Sequence, residues 1–261
     1  MVLLSFDIEE FDMPFEYGKD ISFQDQIAIS RAGTITILDI LDKYEVKATF
    51  FCTVTFAENI PDLIKRITET GHELASHGYY HSDFKPEHLL QSKLKLEELS
   101  GKEITGYRMA RMMPVDEKEI EKAGYIYNTS INPTYLPGRY NNFFNVSRTH
   151  FIKNNVLQIP ASVSPLIRFP LFWLSFHNLP LGIYKTLASW TYKKDKYLNI
   201  YFHPWEFTDL EDFDRFGFPA YVRKNTGTKM ARRTEDLISW MKAKNYPFGT
   251  FQEFIRTISS N

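Results

Sequence analysis

The sequence predicts an α/β fold, a distorted (β/α) barrel of about seven strands with an irregular, aromatic-rich insertion. Three observations lead there. Short β-rich runs alternate with helical patterns, polar residues stand at the ends of the strand candidates, and no repeat or linker divides the 261 residues. Hydrophobic residues make up 43% of the chain and charged residues 24%, a globular composition that can bury a sizeable core. The net charge of -1 gives no basic footprint for nucleic acid. One domain over 1–261 is expected, with the insertion at about 133–196.

The elements follow in order. Residues 2–7 read as the first strand, and a helix is expected from about Ser30, an N-cap type, with Ile35, Leu38 and Leu41 as its apolar stripe. The second strand is 47–54, where the single cysteine, Cys52, reads as a buried thiol. Pro61 suits a first helical turn and Gly71 an end. Residues 73–76 form a third strand leading into His77, and a helix over 86–99 carries Leu89, Leu90, Leu94 and Leu96. A fourth strand at 104–108, a helix at 116–123 stopped by Gly124, and a fifth strand at 125–129 come next. Beyond the proline-punctuated interval lie a strand at 197–202, a helix at 229–244 and a closing strand at 248–251. No basic start, long apolar stretch and cleavage site precede the first strand. A cytoplasmic location is therefore expected, with the inner membrane face as a place of association.

Active sites of parallel α/β barrels gather at the strand ends. Here those ends offer Asp7, Glu9 and Glu10, then His77 and His81, then Arg108, Asn128 and His203. His77 and His81 have the i, i+4 spacing that one helical turn would bring to a single face, and two imidazoles with a carboxylate make a common zinc site. The plain alternative is a pair of surface histidines. Asp7 and Glu9 share one face of an extended strand, so one carboxylate can bind metal while the other acts as a general base. A solvated acidic loop is the competing reading.

Four motifs in order, Ser5-Phe6-Asp7-Ile8-Glu9-Glu10, Ser76-His77-Gly78-Tyr79-Tyr80-His81, Gly106-Tyr107-Arg108 and Tyr201-Phe202-His203-Pro204-Trp205-Glu206, resemble those of polysaccharide deacetylases. That is the chitin-deacetylase-like group, carbohydrate esterase family 4. The resemblance implies a divalent metal, zinc first among the candidates, and hydrolysis of the N-acetyl group of an amino sugar in a glycan or glycoconjugate. By the same analogy His77 and His81 are metal ligands, Asp7 is the general base, Arg108 orients it, and His203 is the general acid. Many relatives have a second, metal-binding aspartate where Ile8 stands; the Asp-x-Asp/Glu variant makes Glu9 the ligand instead.

Further departures concern the mouth. Met109-Ala110-Arg111 replaces a more usual Ala-Pro pair and adds a cation; Arg111 reads either as a contact to an acidic sugar or phosphate, or as a solvated arginine. Asn128, a candidate substrate contact, stands where relatives carry an aspartate, so no negative charge would reach a nearby histidine from it. Tyr79, Tyr80 and Trp205 are candidates to pack on sugar rings, although most of the 16% aromatic residues must be core. The apolar stretch 163–190 is broken by prolines and charges. It suits packing over the barrel, a subunit interface in an oligomer, or peripheral membrane contact. Two other functions stay open: a metal-free glycosidase using Asp7 and Glu206, and a non-catalytic glycan-binding relative.

Overall fold

The computed structural model describes residues 1–259, and its architecture builds outward from β1 (Val2–Ile8), which is buried along its whole length. Period-two alternation divides that strand between two layers. Val2, Leu4, Phe6 and Ile8 pack outward into the core beneath the helices. Leu3 points into the barrel, and Ser5 and Asp7 follow on its face. The chain continues through α1 (Phe23–Tyr44), β2 (Thr49–Cys52), α2 (Val54–Asn59), α3 (Pro61–Glu69), β3 (Glu73–Ser76) and α4 (Glu87–Ser100). Next come β4 (Gly106–Tyr107), α5 (Glu117–Lys122), β5 (Tyr127–Asn128) and a hairpin of β6 (Tyr135–Leu136) with β7 (Tyr140–Asn141). After β8 (Phe151–Lys153) and β9 (Val156–Gln158) come α6 (Trp173–Asn178), α7 (Leu181–Asp195) and β10 (Leu198–Phe202). The last elements are α8 (Phe213–Phe216), α9 (Ala220–Arg223), α10 (Thr228–Ala243) and α11 (Phe251–Ser259).

The main sheet runs β10-β1-β2-β3-β4-β5-β9-β8, and every neighbouring pair is parallel except β8 with β9. Its ends curl towards each other. The Ser162 amide donates to the Asn199 carbonyl at 2.9 Å, and the Asn199 side chain donates to the carbonyls of Ile159 and Pro160. The result is the distorted (β/α) barrel, with seven parallel strands and one antiparallel edge. The 133–196 stretch is therefore more than an insertion: it supplies β9, the outer helix α7 and the residues that close the barrel. Only 133–146 and the segment around 164–170 lie apart from it.

Several local expectations change. Helix α1 starts at Phe23 because Ser22 Oγ accepts the Asp25 amide at 3.1 Å and caps it, which leaves Ser30 buried inside the helix. Leu89 and Leu96 of α4 are buried, but Leu90 and Leu94 are 47% and 55% exposed. Residues 248–251 form no strand: Phe248 makes one bridge to Val2. Helix α11 then plugs the barrel floor with Phe251 and Phe254, beside Leu3, Phe51 and Tyr127. Each such buried ring contributes roughly 2–3 kcal/mol. Helix α1 also crosses the turn at 204–207 so closely that a Cβ at Gly33 would stand 1.9 Å from the Pro204 carbonyl oxygen.

Candidate functional site

The His77–His81 segment is a loop and not the helical turn its spacing suggested. Gly78, at φ 95°, reverses the chain after β3. The loop is pinned by the Val54 amide on the Gly78 carbonyl, the Thr55 amide on the Tyr79 carbonyl, and the His81 amide on Glu10 Oε1. Glu10 is held in turn by Thr53 Oγ1 at 2.6 Å. The two imidazoles then stack 6.0 Å apart, and both Nε2 atoms lie 3.0 Å from Glu9 Oε2. Each Nδ1 is occupied: that of His77 by the Arg108 carbonyl at 2.8 Å, that of His81 by Asp12 Oδ1 at 2.7 Å. Since both partners are acceptors, the Nδ1 atoms carry the protons and the Nε2 lone pairs face Glu9. Glu9 Oε2 is buried without a hydrogen-bond donor. Three ligand atoms lie within 4.8 Å of one another, a donor set that fits a divalent cation. Burial opposes charge on His81, yet Glu9 and Asp12 push its pKa up to about 9, so the surroundings favour positive charge at this point.

Beside this cluster lies a second group. Arg108 is fully buried inside the barrel, its guanidinium 4.1 Å over the Phe51 ring, donating to Asp7 Oδ1 and to Ser5 Oγ. Burial alone would raise the Asp7 pKa, but Arg108, His77 and His203 together hold it below the usual aspartate range. His203 Nε2 lies 3.9 Å from Asp7 Oδ2. His203 Nδ1 donates to Glu206 Oε1 at 2.9 Å, and its backbone amide donates to the same oxygen at 2.6 Å. The other oxygen of Glu206 meets His177 Nε2 at 2.7 Å, and His177 Nδ1 meets the Val222 carbonyl at 3.1 Å. Glu206 and His177 are both wholly buried. Burial works against charge on His203, but Glu206, Glu9 and Asp7 raise its pKa above the ordinary value.

Residues 19–114 match the family profile of polysaccharide deacetylase. Peptidoglycan-N-acetylmuramic acid deacetylase PdaA of Bacillus subtilis (strain 168) is 42% identical over 50 residues, 19% of this chain and 19% of that protein. Over these residues the chain is similar to the polysaccharide deacetylase family. Solved structures agree in fold. A probable polysaccharide deacetylase from Pseudomonas aeruginosa PAO1 superposes with a TM-score of 0.68 at 15% identity, covering 98% of this chain and 89% of that one. Puue allantoinase gives 0.66 at 17% identity over 98% and 88%. The sequence match to the curated relative thus spans a fifth of its length, while the barrel matches nearly end to end.

The two groups open into a cleft of about 250 Å³. Glu9, His81 and His203 reach its floor, and Phe172, Trp173, Trp205 and Tyr140 form walls. Trp205 borders the cleft but is only 3% exposed. Its ring stacks on His203 at 5.0 Å, so it backs the histidine and leaves little face for a sugar. Arg111 lies on the rim, committed to Glu16 Oε1 at 2.8 Å, Ser82 Oγ at 3.1 Å and Asp12 at 3.4 Å. It braces Asp12 behind His81. Two expected substrate contacts fall elsewhere. Tyr80 is half-exposed against Tyr79 and His88, away from the residues that line the cleft. Asn128 is buried, donating to Gln158 Oε1 at 2.8 Å and accepting from the Ser130 amide, and so ties β5 to β9.

Sequence reasoning did not single out Asp12, Trp173 or His177, and gave Glu206 only the role of a glycosidase acid. That pairing with Asp7 fails because both Glu206 oxygens are engaged by histidines in the interior. The signal for Glu206 was readable: His-Pro-Trp-Glu places proline at the first helical position and glutamate at the third, reaching back to the cap amide. Asp12 and His177 have no local signal of that kind.

Proposed function

We propose that this protein is a metal-dependent deacetylase that hydrolyses the N-acetyl group of an amino sugar in a glycan or glycoconjugate. The observation that carries the reading is the donor set of Glu9 Oε2 and the two Nε2 atoms, oriented by Asp12 and the Arg108 carbonyl, beside Asp7 and His203. Glu9, His77 and His81 would hold the metal, zinc first among ions that accept nitrogen and oxygen ligands. When bound it would supply Lewis-acid polarisation of the acyl oxygen and acidify water.

The chain's own residues do the rest. Asp7, kept ionised by Arg108, takes a proton from water as the water oxygen bonds to the acyl carbon. His203, held by Glu206 through Nδ1, delivers the Nε2 proton to the amide nitrogen as the carbon–nitrogen bond breaks. The products are acetate and a free amine. Phe172, Trp173 and Tyr140 offer aromatic surface to the apolar faces of a sugar.

Metal content by mass spectrometry on wild type, His77→Ala and His81→Ala tests the site, with acetate release from a panel of N-acetylated oligosaccharides as the activity readout. About one divalent ion per wild-type chain, lost in both variants, is expected. A chain that stays empty after zinc or cobalt is supplied defeats the proposal. One that loads metal and binds sugar but releases no acetate is a glycan-binding relative.

A further inference from the structure

Between Glu121 and Asp195 the chain contains no aspartate or glutamate but eight lysines and arginines. Four of the eight pair with carboxylates: Lys122 with Glu119, Arg148 with Asp195, Lys153 with Glu117 and Lys185 with Asp236. The same interval carries the most exposed large apolar side chains among the described residues: Phe144 is 90% exposed, Leu166 82%, Ile152 (on β8) 74% and Ile167 65%. Sequence distance separates Phe144 from Leu166 and Ile167, but Arg168 joins their loops. Its Nη1 donates to the carbonyls of Pro133, Asn142 and Val146, its guanidinium stands 5.2 Å over Phe143, and its own carbonyl accepts from Thr134 Oγ1. Phe143 in turn packs edge-on to Phe144. The loops 133–146 and 164–168 thus form one lobe with apolar side chains at its surface.

Two features say what such a lobe fits. The loops 133–146 and 164–168 contain no carboxylate, and the hydrogen bonds of Arg139 and Arg168 go to neutral oxygens, with Glu16 acting on Arg139 from outside the lobe. Apolar tips beside two arginines, with no acid in the same loops, match the boundary of an anionic bilayer, where acyl chains accept the one and headgroups the other. A second copy of the chain is a poor occupant, because a two-fold contact would set this acid-free face against itself. Among the described residues no helix is long and apolar enough to cross a membrane, so the contact would be peripheral. The lobe also walls the cleft through Leu136, Arg139 and Tyr140.

The geometry points to this lobe as a docking surface for an anionic lipid bilayer, seated through Phe144, Leu166 and Ile167 so that the cleft mouth adjoins the lipid surface. Flotation with vesicles of phosphatidylcholine, alone or mixed with phosphatidylglycerol, tests it. Wild type should float with the anionic vesicles, less with the neutral ones, and progressively less as salt rises. The triple variant Phe144→Asp, Leu166→Asp, Ile167→Asp should lose about tenfold or more in vesicle partitioning. Its acetate release from a soluble oligosaccharide and its thermal midpoint should match wild type, which separates lipid docking from the catalytic reading. Should the triple variant misfold, Phe144→Asp alone is expected to weaken partitioning about threefold or more. Wild type that binds neither vesicle, or variants that bind as well as wild type, overturn the proposal. So does a dimer in light scattering that the variants dissolve while no vesicle binding is seen.

Discussion

Replacing Glu206 with glutamine isolates the charge behind His203. Glu206 accepts from the His203 amide at 2.6 Å, His203 Nδ1 at 2.9 Å and His177 Nε2 at 2.7 Å, with no exposure to solvent. The amide oxygen of glutamine can keep both bonds from His203. Its NH2 can donate to His177 Nε2 once the single ring proton of His177 sits on Nδ1, facing the Val222 carbonyl. Every imidazole nitrogen keeps a partner while the second amide N–H gains none, so the stability cost is about 1–3 kcal/mol. Glu206→Ala, which strands both imidazoles, should cost about 3–5 kcal/mol.

The effect on activity is larger and has a definite sign. Burial lowers the His203 pKa, and Glu206 is the leading group that raises it. Without that charge the titration of His203 should fall by about one to three pH units. With His203 as the general acid of the proposed reaction, the alkaline limb of kcat should move to lower pH by the same amount. The linked stability follows the same direction: a raised histidine stabilises the fold below its unfolded value and loses that contribution as pH rises through the folded one. The Glu206→Gln variant should show less of this alkaline loss. The assay is acetate release across pH on metal-loaded protein, with urea unfolding at matched pH. An alkaline limb that stays in place or moves upward refutes the role given to Glu206.

Three further outcomes follow from the same geometry. Asp12→Ala removes the acceptor on His81 Nδ1 and should weaken metal affinity about 10- to 100-fold in a chelator competition, with the fold unchanged; unaltered affinity would dismiss Asp12 as an orienting group. Gly33→Ala forces a methyl to within 1.9 Å of the Pro204 oxygen. It should cost roughly 1–3 kcal/mol in urea unfolding and depress kcat through the displaced His203, a link broken if kcat holds while stability falls. Tyr80→Ala should leave kcat and KM within about twofold, whereas Trp173→Ala, which removes the ring 5.6 Å from both His203 and His177, should lower kcat by up to about 10²-fold.

What the sequence determined by itself was whatever neighbouring residues dictate to one another. Period-two alternation along β1 puts Ser5 and Asp7 on the barrel face, the short run at 73–76 makes a strand that delivers His77, and Asp116 caps a helix that ends before Gly124. The two histidines were also paired correctly, although the turn that joins them is a glycine-hinged loop and not a helix. Contacts between residues far apart in the chain were decided only by the closed barrel. Arg108 reaches Asp7 across 101 residues, and His177 reaches Glu206 across 29 because α6 packs against the end of β10. Asn128 and Tyr80 mark the same limit from the other side: each stands at a strand end or in a motif, yet packing turned one into the barrel wall and left the other outside the cleft. Local backbone preference fixes which way a side chain leaves its strand; which partner waits there depends on how the helices and loops fill the space around it.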